Sequence, residues 1–480
     1  MAGTLKGNLV WNSSYQILTV LAPLITVPYV SRVLGPEQVG MYSYTYAIAY
    51  YFVLFATLGM AQYGVRLIAE TRNDRVARSK CFWSAWAAQL CVSIPVAAVY
   101  LIYSLISPVG GRTVALLWGL WVMAAVLDIS WLFFGMEEFK LPTIRNFITK
   151  AAGIVLILTL CKTENDLWAY ILGTSLAFFA NSILLMPHIH KYVDFIAPSW
   201  DEIRRHFAPN LHLFAPVIAV SLYMQFNKLL LGQFSGLEQV GYFEYSDKIV
   251  RLPLTLITAL CSVMLPHMTR KLAAGDRKGA LHLLGESYWF ILALAVGITF
   301  GIASISPELV PVYLGTGYDP CKLAIPTEVF ALPFISGSNI LGMQYLLPSH
   351  ADKQYSRSVW TGAVVNIICC VAFLGSYGAL GAAVATVVAE ASVFFYQCWS
   401  VRRELPIRIY IGESLPFYVI GVITFAAIRL FVHYAEIAFG VGWVLLLLEI
   451  LFAILVYGLM AFAWCYKRDK ISVLKSFLLK

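Results

Sequence analysis

Apolar residues do not alternate along this chain, nor do they recur as single helical stripes. They run in continuous blocks of roughly 20 residues, the length needed to cross a hydrocarbon core of about 30 Å. Charges and turn residues bound fourteen such blocks, near 9–31, 41–64, 81–105, 114–136, 143–161, 167–187, 209–231, 242–266, 284–306, 324–347, 358–375, 378–399, 414–433 and 441–465. The pattern predicts an all-α polytopic membrane protein. Short alternating strands, the signature of a transmembrane β-barrel, are not the pattern here. The fifth block is interrupted by Lys150 and the thirteenth contains Arg429, so these two are the weakest spans.

One turn occurs twice. Glu37-Gln38-Val39-Gly40 returns as Glu238-Gln239-Val240-Gly241, each time after an odd-numbered span and before an aromatic-rich one. Six spans separate the copies, an even number, so both have the same orientation. A parallel repeat of this kind places a transport path between two lobes. The expected organisation is an N-terminal lobe of helices 1–6 (1–200), a C-terminal lobe of helices 7–12 (201–412), and helices 13–14 with a tail (413–480) outside the repeat.

Composition agrees with the pattern. Of 480 residues, 60% are hydrophobic and 12% charged, with a mean hydropathy of +0.75, where soluble domains carry about 25% charge. The net charge of +8 is mostly a topology signal. With the N-terminus inside, 26 of the 34 basic residues fall on inner segments and only Arg32, Arg112, Lys162 and Lys322 on outer turns. Cytoplasmic loops carry that excess, so both termini are expected in the cytoplasm and no nucleic-acid role is implied. The start of the chain reads as a short tail and an uncleaved first helix. Nine cysteines show no metal-site spacing, and a Cys161–Cys321 bridge is possible, since both lie near the same membrane face.

Charges inside spans carry the candidate chemistry, because each costs about 2.5–3.5 kcal/mol at mid-membrane and usually faces a cavity or a partner. On helix 8, Glu244, Asp247, Lys248 and Arg251 lie at i, i+3, i+4 and i+7, on one face. They form either two self-neutralising pairs or part of a substrate path. Lys228 on helix 7 aligns with Ser221 and Gln225 and has no acid near it in sequence. It either snorkels to the outer interface or, with Arg251, Lys248 and Arg32, attracts an anionic substrate such as a phosphate. Glu244, Asp247, Asp128, Glu328, Glu390 and Glu449 are either coupling acids or ion-pair partners. Asn12, Gln16 and Thr19 on helix 1, and Tyr42, Tyr46 and Tyr50 on helix 2, would offer hydroxyls and rings to a sugar, although tyrosine is also common at membrane interfaces.

There is no P-loop, no HExxH, no Gly-x-Ser-x-Gly elbow and no metal-ligand cluster. The chain is therefore expected not to be an enzyme and to need no cofactor. Energy would come from an H+ or Na+ gradient, the membrane potential, or consumption of the product. Short outer loops, the longest being 306–322, weigh against a glycosyltransferase or polymerase.

SRVLGPEQVGMYSYTYAI (31–48), its counterpart LLGQFSGLEQVGYFEYSDKIVRL (230–252), and the loops GMEEFK and LPSHADKQY resemble the polysaccharide-export (Wzx-type) flippases of bacteria. That family shares a superfamily with lipid II flippases and multidrug and toxin extrusion exporters. The resemblance spans the chain. It implies transport of an undecaprenyl-diphosphate-linked oligosaccharide from inner to outer leaflet, by alternating access of two six-helix lobes around a cationic cavity in the bacterial inner membrane. It also implies a lipid-tail groove in 414–465, and polysaccharide polymerase and chain-length regulator as partners. An ion-coupled drug exporter is the nearest alternative, although helices 7 and 8 hold three basic and two acidic residues.

Overall fold

A computed structural model describes residues 5–106 and 109–467, with side chains from residue 22 onward except 215, 216 and 223. Among the described residues the structure is helical, without strands. Eleven helical segments are long and apolar enough to cross a membrane. Two of them, Ala22–Glu70 and Asp352–Val401, hold two spans each, and α9 (Phe207–Ser235) adds the last, which makes fourteen. The chain packs as two compact units, Met1–Gly232 and Gln233–Lys480.

The first unit contains α1 (Leu5–Thr57), α2 (Met60–Glu70), α3 (Arg75–Ile106), α4 (Arg112–Val126), α5 (Ser130–Gly135), α6 (Lys140–Leu160), α7 (Leu167–Ile183), α8 (Trp200–Arg204) and most of α9. The second contains α10 (Leu237–Ala273), α11 (Arg277–Leu309), α12 (Cys321–Glu328), α13 (Ala331–Asn339), α14 (Asp352–Val401), α15 (Ile407–Phe439) and α16 (Trp443–Lys467).

Glu37–Gly40 and Glu238–Gly241, read from sequence as a turn, are helical; the turn is the glycine just before each copy, with one backbone form in both. Helix α1 is broken at Gly35, with φ 71° and ψ 173°, and α10 is preceded by Gly236, with φ 92° and ψ 168°. Only glycine enters that region without steric cost. Pro36 then opens a helix where its missing N–H is no loss, and Glu37 or Glu238 lies in the first turn, where a carboxylate suits the helix dipole. In the second unit the motif has a further task. Gln239 Oε1 accepts from Ala379 N at 2.9 Å, just after the bend of α14 at Gly378. Ser235 Oγ donates to Leu374 O at 2.6 Å on the other side of that bend.

Several expected spans differ in detail. The fourth is broken at Leu127–Ile129, between α4 and α5. Buried Gln89 of α3 caps the break: its Nε2 donates to Ala125 O and Asp128 O, each at 3.0 Å, and its Oε1 accepts from Trp131 Nε1 at 3.2 Å. Orphan carbonyls at a helix end inside a membrane need such a partner. The tenth span is α12 and α13 followed by a π-helical turn, Ile340–Leu346. Residues 306–314, read from sequence as outer loop, are the end of α11 and a π-helical turn, Val310–Leu314. Lys150 and Arg429 do not interrupt their helices.

Close packing depends on small residues, as is usual for membrane helices. Where α6 meets α7, a Cβ on Gly153 would sit 2.7 Å from Gly173 O, so the two backbones touch. Leu447, Leu451, Leu455 and Leu459 of α16 point outward, as a lipid-facing surface requires. At the end of the first unit's helices, Arg75 grips Asp194 through Nε and one terminal nitrogen at 2.7 and 2.8 Å. His206 is buried between α2 and α3, its Nδ1 2.6 Å from Tyr63 Oη and its Nε2 2.8 Å from Ser84 Oγ.

Candidate functional site

The α10 face is the charged site of the second unit. Lys248 Nζ lies 2.8 Å from Glu244 Oε1, and Arg251 Nε lies 2.6 Å from Asp247 Oδ1. Both i,i+4 pairs permitted by the spacing are therefore closed. They are not symmetric. The Glu244 and Asp247 side chains are 6% and 11% exposed, whereas those of Lys248 and Arg251 are 30% and 32% exposed. The carboxylates lie inside, whereas the Lys248 and Arg251 side chains are partly exposed. Charge is nearly cancelled in sum but not in position.

Aromatic hydroxyls surround this face. Lys248 Nζ stands 5.3 Å from the Tyr245 ring centre, and buried Tyr318 packs on Tyr242 and Tyr245 with centroids 6.1 and 5.5 Å apart. Tyr242 Oη donates to Glu238 Oε1 at 2.5 Å, which ties the repeat motif to the site. Glu328 of α12 is fully buried and within electrostatic reach of Arg251. Glu390 is buried on α14.

In the first unit, Lys228 of α9 is buried, only 6% exposed. Its ammonium is inside the protein, not at the end of a stem reaching outward. One turn before it, Gln225 Oε1 has no hydrogen-bond partner among the described residues, and Ser221 O accepts from Tyr51 Oη at 3.1 Å. Arg32 is exposed and donates to Pro28 O at 3.0 Å, one turn back on its own helix. Asp128 is not inside a helix, as the sequence reading had it. It occupies the α4–α5 break and its Oδ1 accepts from Ser130 N, the first residue of α5, at 2.9 Å. Asn12, Gln16 and Thr19 lie outside the described side chains.

A second polar site in this unit joins the Tyr42–Tyr46–Tyr50 column and Asp128, both candidates from sequence, to residues that sequence did not single out. The Tyr42–Tyr46–Tyr50 column stacks on α4 and α7: Tyr42 on Tyr170 at 4.1 Å, Tyr46 on Trp121 at 4.7 Å, and Trp121 on Phe178 at 4.7 Å between centroids. Trp121 and Phe178 then form one wall of a cavity of about 200 Å³ whose other walls include Asp128, Ser130, Arg145 and Asn181. Arg145 is buried and donates to Asn181 O and, at 2.7 Å, to Asn146 Oδ1. Thr149 Oγ1 donates to Asn181 Oδ1 at 2.6 Å. From sequence Arg145 counts only as an inner-side cation. The one signal for more is Thr149, four residues on, which continues a polar stripe into an apolar helix.

Two expectations concerned sulfur and metal. Cys161 and Cys321 are both free thiols. Cys321 instead donates its S–H to Tyr242 O at 3.4 Å within the second unit, and Cys161 is buried with its carbonyl accepting from Tyr29 Oη at 2.7 Å. Among the described residues, no group of three or more His, Cys, Asp or Glu could hold a metal ion.

Known proteins resemble this chain along most of its length. It is 25% identical over 417 residues to a protein of Escherichia coli (strain K12) named "Putative O-antigen transporter", covering 84% of this chain and 97% of that one. A protein of Shigella dysenteriae with the same name is 24% identical, with 80% and 96% covered. Among solved structures, the lipid II flippase MurJ in an inward closed conformation superposes with a TM-score of 0.70 at 18% identity, over 93% of this chain and 99% of that one. An inward-facing multidrug resistance MATE family transporter of the MOP superfamily gives 0.63 at 14% identity, over 82% and 98%. These two likenesses show a shared helical fold. Residues 5–271, more than half of the chain, match the family described as polysaccharide biosynthesis protein, and the chain is a multi-pass membrane protein belonging to that family.

Proposed function

We propose that this protein is a flippase that moves an undecaprenyl-diphosphate-linked oligosaccharide from the inner to the outer leaflet for surface polysaccharide assembly. The observation that carries the reading is the cavity of the first unit, which Trp121 and Phe178 line together with Asp128, Arg145 and Asn181 inside a membrane protein. Flat aromatic faces beside hydrogen-bonding groups suit a sugar ring, and a buried guanidinium suits the anion that links sugar to lipid. An acyl chain would need neither. The names of the relatives and the family match support the same reading.

In this reading the first contact with diphosphate falls to the cationic tips of Lys248 and Arg251, to Lys228, and to Arg32 at the outer end. Glu244, Asp247, Glu328 and Glu390 hold those cations or carry a coupling H+ or Na+, and Asp128 shapes the sugar cavity. Two lobes, 1–200 and 201–412, alternate access to the path, with both termini in the cytoplasm of a bacterium and the chain in its inner membrane. Helices α15 and α16 receive the polyprenyl tail. A cavity of about 350 Å³ lined by Ile298, Ile302, Ile305, Ile450, Ile454 and other residues of α11 and α16 has the apolar lining such a tail needs. The protein then forms and breaks no covalent bond, and a polymerase and chain-length regulator take the product.

Purified protein in liposomes containing a lipid-linked oligosaccharide tests this directly. Flipping exposes the sugar to an oxidant or lectin outside the vesicle. Transfer that falls several-fold in Lys228→Ala, with normal insertion, is expected. Transfer no faster than in protein-free vesicles, or export of cationic dyes in its place, would favour the drug-exporter reading suggested by the MATE-like fold. Formation of a glycosidic bond would favour an enzyme.

A further inference from the structure

Away from the α10 site, α11, α15 and α16 bring three charged side chains into an apolar region. Arg429 of α15 donates through one terminal nitrogen to Glu308 Oε2 of α11 at 2.7 Å and to Ser304 O at 3.0 Å. Glu449 of α16 is fully buried, and neither of its carboxylate oxygens has a hydrogen-bond partner among the described residues. Its surroundings are apolar: Ile428, Val432, Leu446 and Ala453 belong to one buried cluster around it. The charges acting on it are Glu308 from α11, and Arg429 and Glu436 from α15. His433, also on α15, is exposed. Two buried acids thus share one base, and the base is already taken by Glu308.

An ionised carboxylate without a partner in such a place carries a desolvation cost that no contact offsets. A neutral carboxyl group removes most of it. A metal cation would need several oxygen ligands, and no metal-holding cluster of acids exists among the described residues. We propose that Glu449 is a proton-binding site, and that its proton keeps Arg429 on Glu308. When the O–H bond breaks and the proton leaves to water, the Glu449 carboxylate competes with Glu308 for Arg429. The guanidinium lies within electrostatic reach of Glu449 as well as on Glu308, and its side chain is 36% exposed. Glu449 precedes Ile450, and Ile305 lies one turn before Glu308, so both acids adjoin residues lining the apolar cavity of α11 and α16. Proton occupancy thereby sets the packing of that cavity wall. The site stands apart from the identity of the transported lipid.

Infrared difference spectroscopy on the purified full chain in lipid nanodiscs reads the proton itself. The wild type is expected to show a protonated-carboxyl stretch at neutral pH that Glu449→Gln removes and Glu436→Gln leaves. Superposable wild-type and Glu449→Gln spectra would overturn the proposal. Because glutamine copies the neutral acid, Glu449→Gln is expected to melt with the wild type, and a melting point several degrees lower would also overturn it. Amide exchange in 443–458 supplies an independent arm. Protection there, corrected for the base-catalysed rise of intrinsic exchange, should fall with pH in the wild type and hold its low-pH value in Glu449→Gln, whereas equal pH responses in the two proteins would show that Glu449 is not the group responding.

Discussion

Arg251 donates from Nε to both oxygens of Asp247, at 2.6 and 2.7 Å, across one turn of α10. Asp247 is the buried member and Arg251 the edge member, so the pair fixes where the positive charge is presented. Removing the acid leaves a cation without its closest partner in a partly desolvated place. Asp247→Asn is therefore expected to lower unfolding stability in detergent by roughly 1–3 kcal/mol. Asp247→Asn with Arg251→Gln should lose less than the two single changes summed. A double-mutant cycle measured by thermal melting checks this, and strict additivity would contradict it.

Gln89 makes three hydrogen bonds at the α4–α5 break. Gln89→Leu has a similar size but leaves two carbonyls and the Trp131 N–H without partners. The expected loss is about 1–3 kcal/mol for unsatisfied buried groups, and Trp131 fluorescence should shift as its environment changes. Gln89→Glu should be at least as harmful, since it keeps an acceptor for Trp131 but loses the donor.

The contact of α6 with α7 at Gly153 and Gly173 predicts a contrast between glycines. Gly153→Ala places a methyl 2.7 Å from a backbone oxygen that cannot rotate away, and overpacking of this kind costs roughly 1–3 kcal/mol. Gly375→Ala meets nothing within 4 Å and should melt with the wild type. Equal melting points for the two variants would show that the helices separate freely.

His206 predicts a pH effect with a definite sign. Burial holds its imidazole below the ordinary 6.5, and the nearby Arg205 acts in the same direction. The unfolded chain therefore takes up a proton at a higher pH than the folded one. The stability from neutral His206 is complete above about 6.5 and falls as pH drops from there toward the folded value. Asp194 does not share that window, because its hydrogen bond with Arg75 holds its carboxyl below the usual 3.8. Melting curves should show the loss just below neutral pH in the wild type and its absence in His206→Gln.

If the proposed function holds, the Trp121–Arg145 cavity predicts a graded effect on export. Trp121→Phe keeps an aromatic face and should retain most glycan export in a complementation assay. Arg145→Gln keeps a donor to Asn181 but loses the charge, and export should fall several-fold at normal protein levels. Unchanged export in Arg145→Gln would remove this cavity from the transport path.

Much of this protein was legible before any coordinates. The count of fourteen spans follows from hydrocarbon thickness, which fixes how many apolar residues a crossing needs whatever they pack against. The repeat of Glu37–Gly40 as Glu238–Gly241 is visible in sequence, but that Gly35 and Gly236 make the turns took backbone angles that only glycine adopts freely. The closed pairs of α10 follow from helical spacing alone, since i and i+4 are neighbours in any helix. Long-range partners have no such local rule. The sequence could not say that Arg429 joins Glu308, that Gln89 caps a break 36 residues on at Ala125, or that Arg145 belongs to a cavity and not to a loop. Nor could it say that Cys161 and Cys321 stay apart from any bridge. Those facts depend on which helix faces which, and that is settled by side chains meeting in three dimensions, where a buried polar group either finds its partner or costs stability.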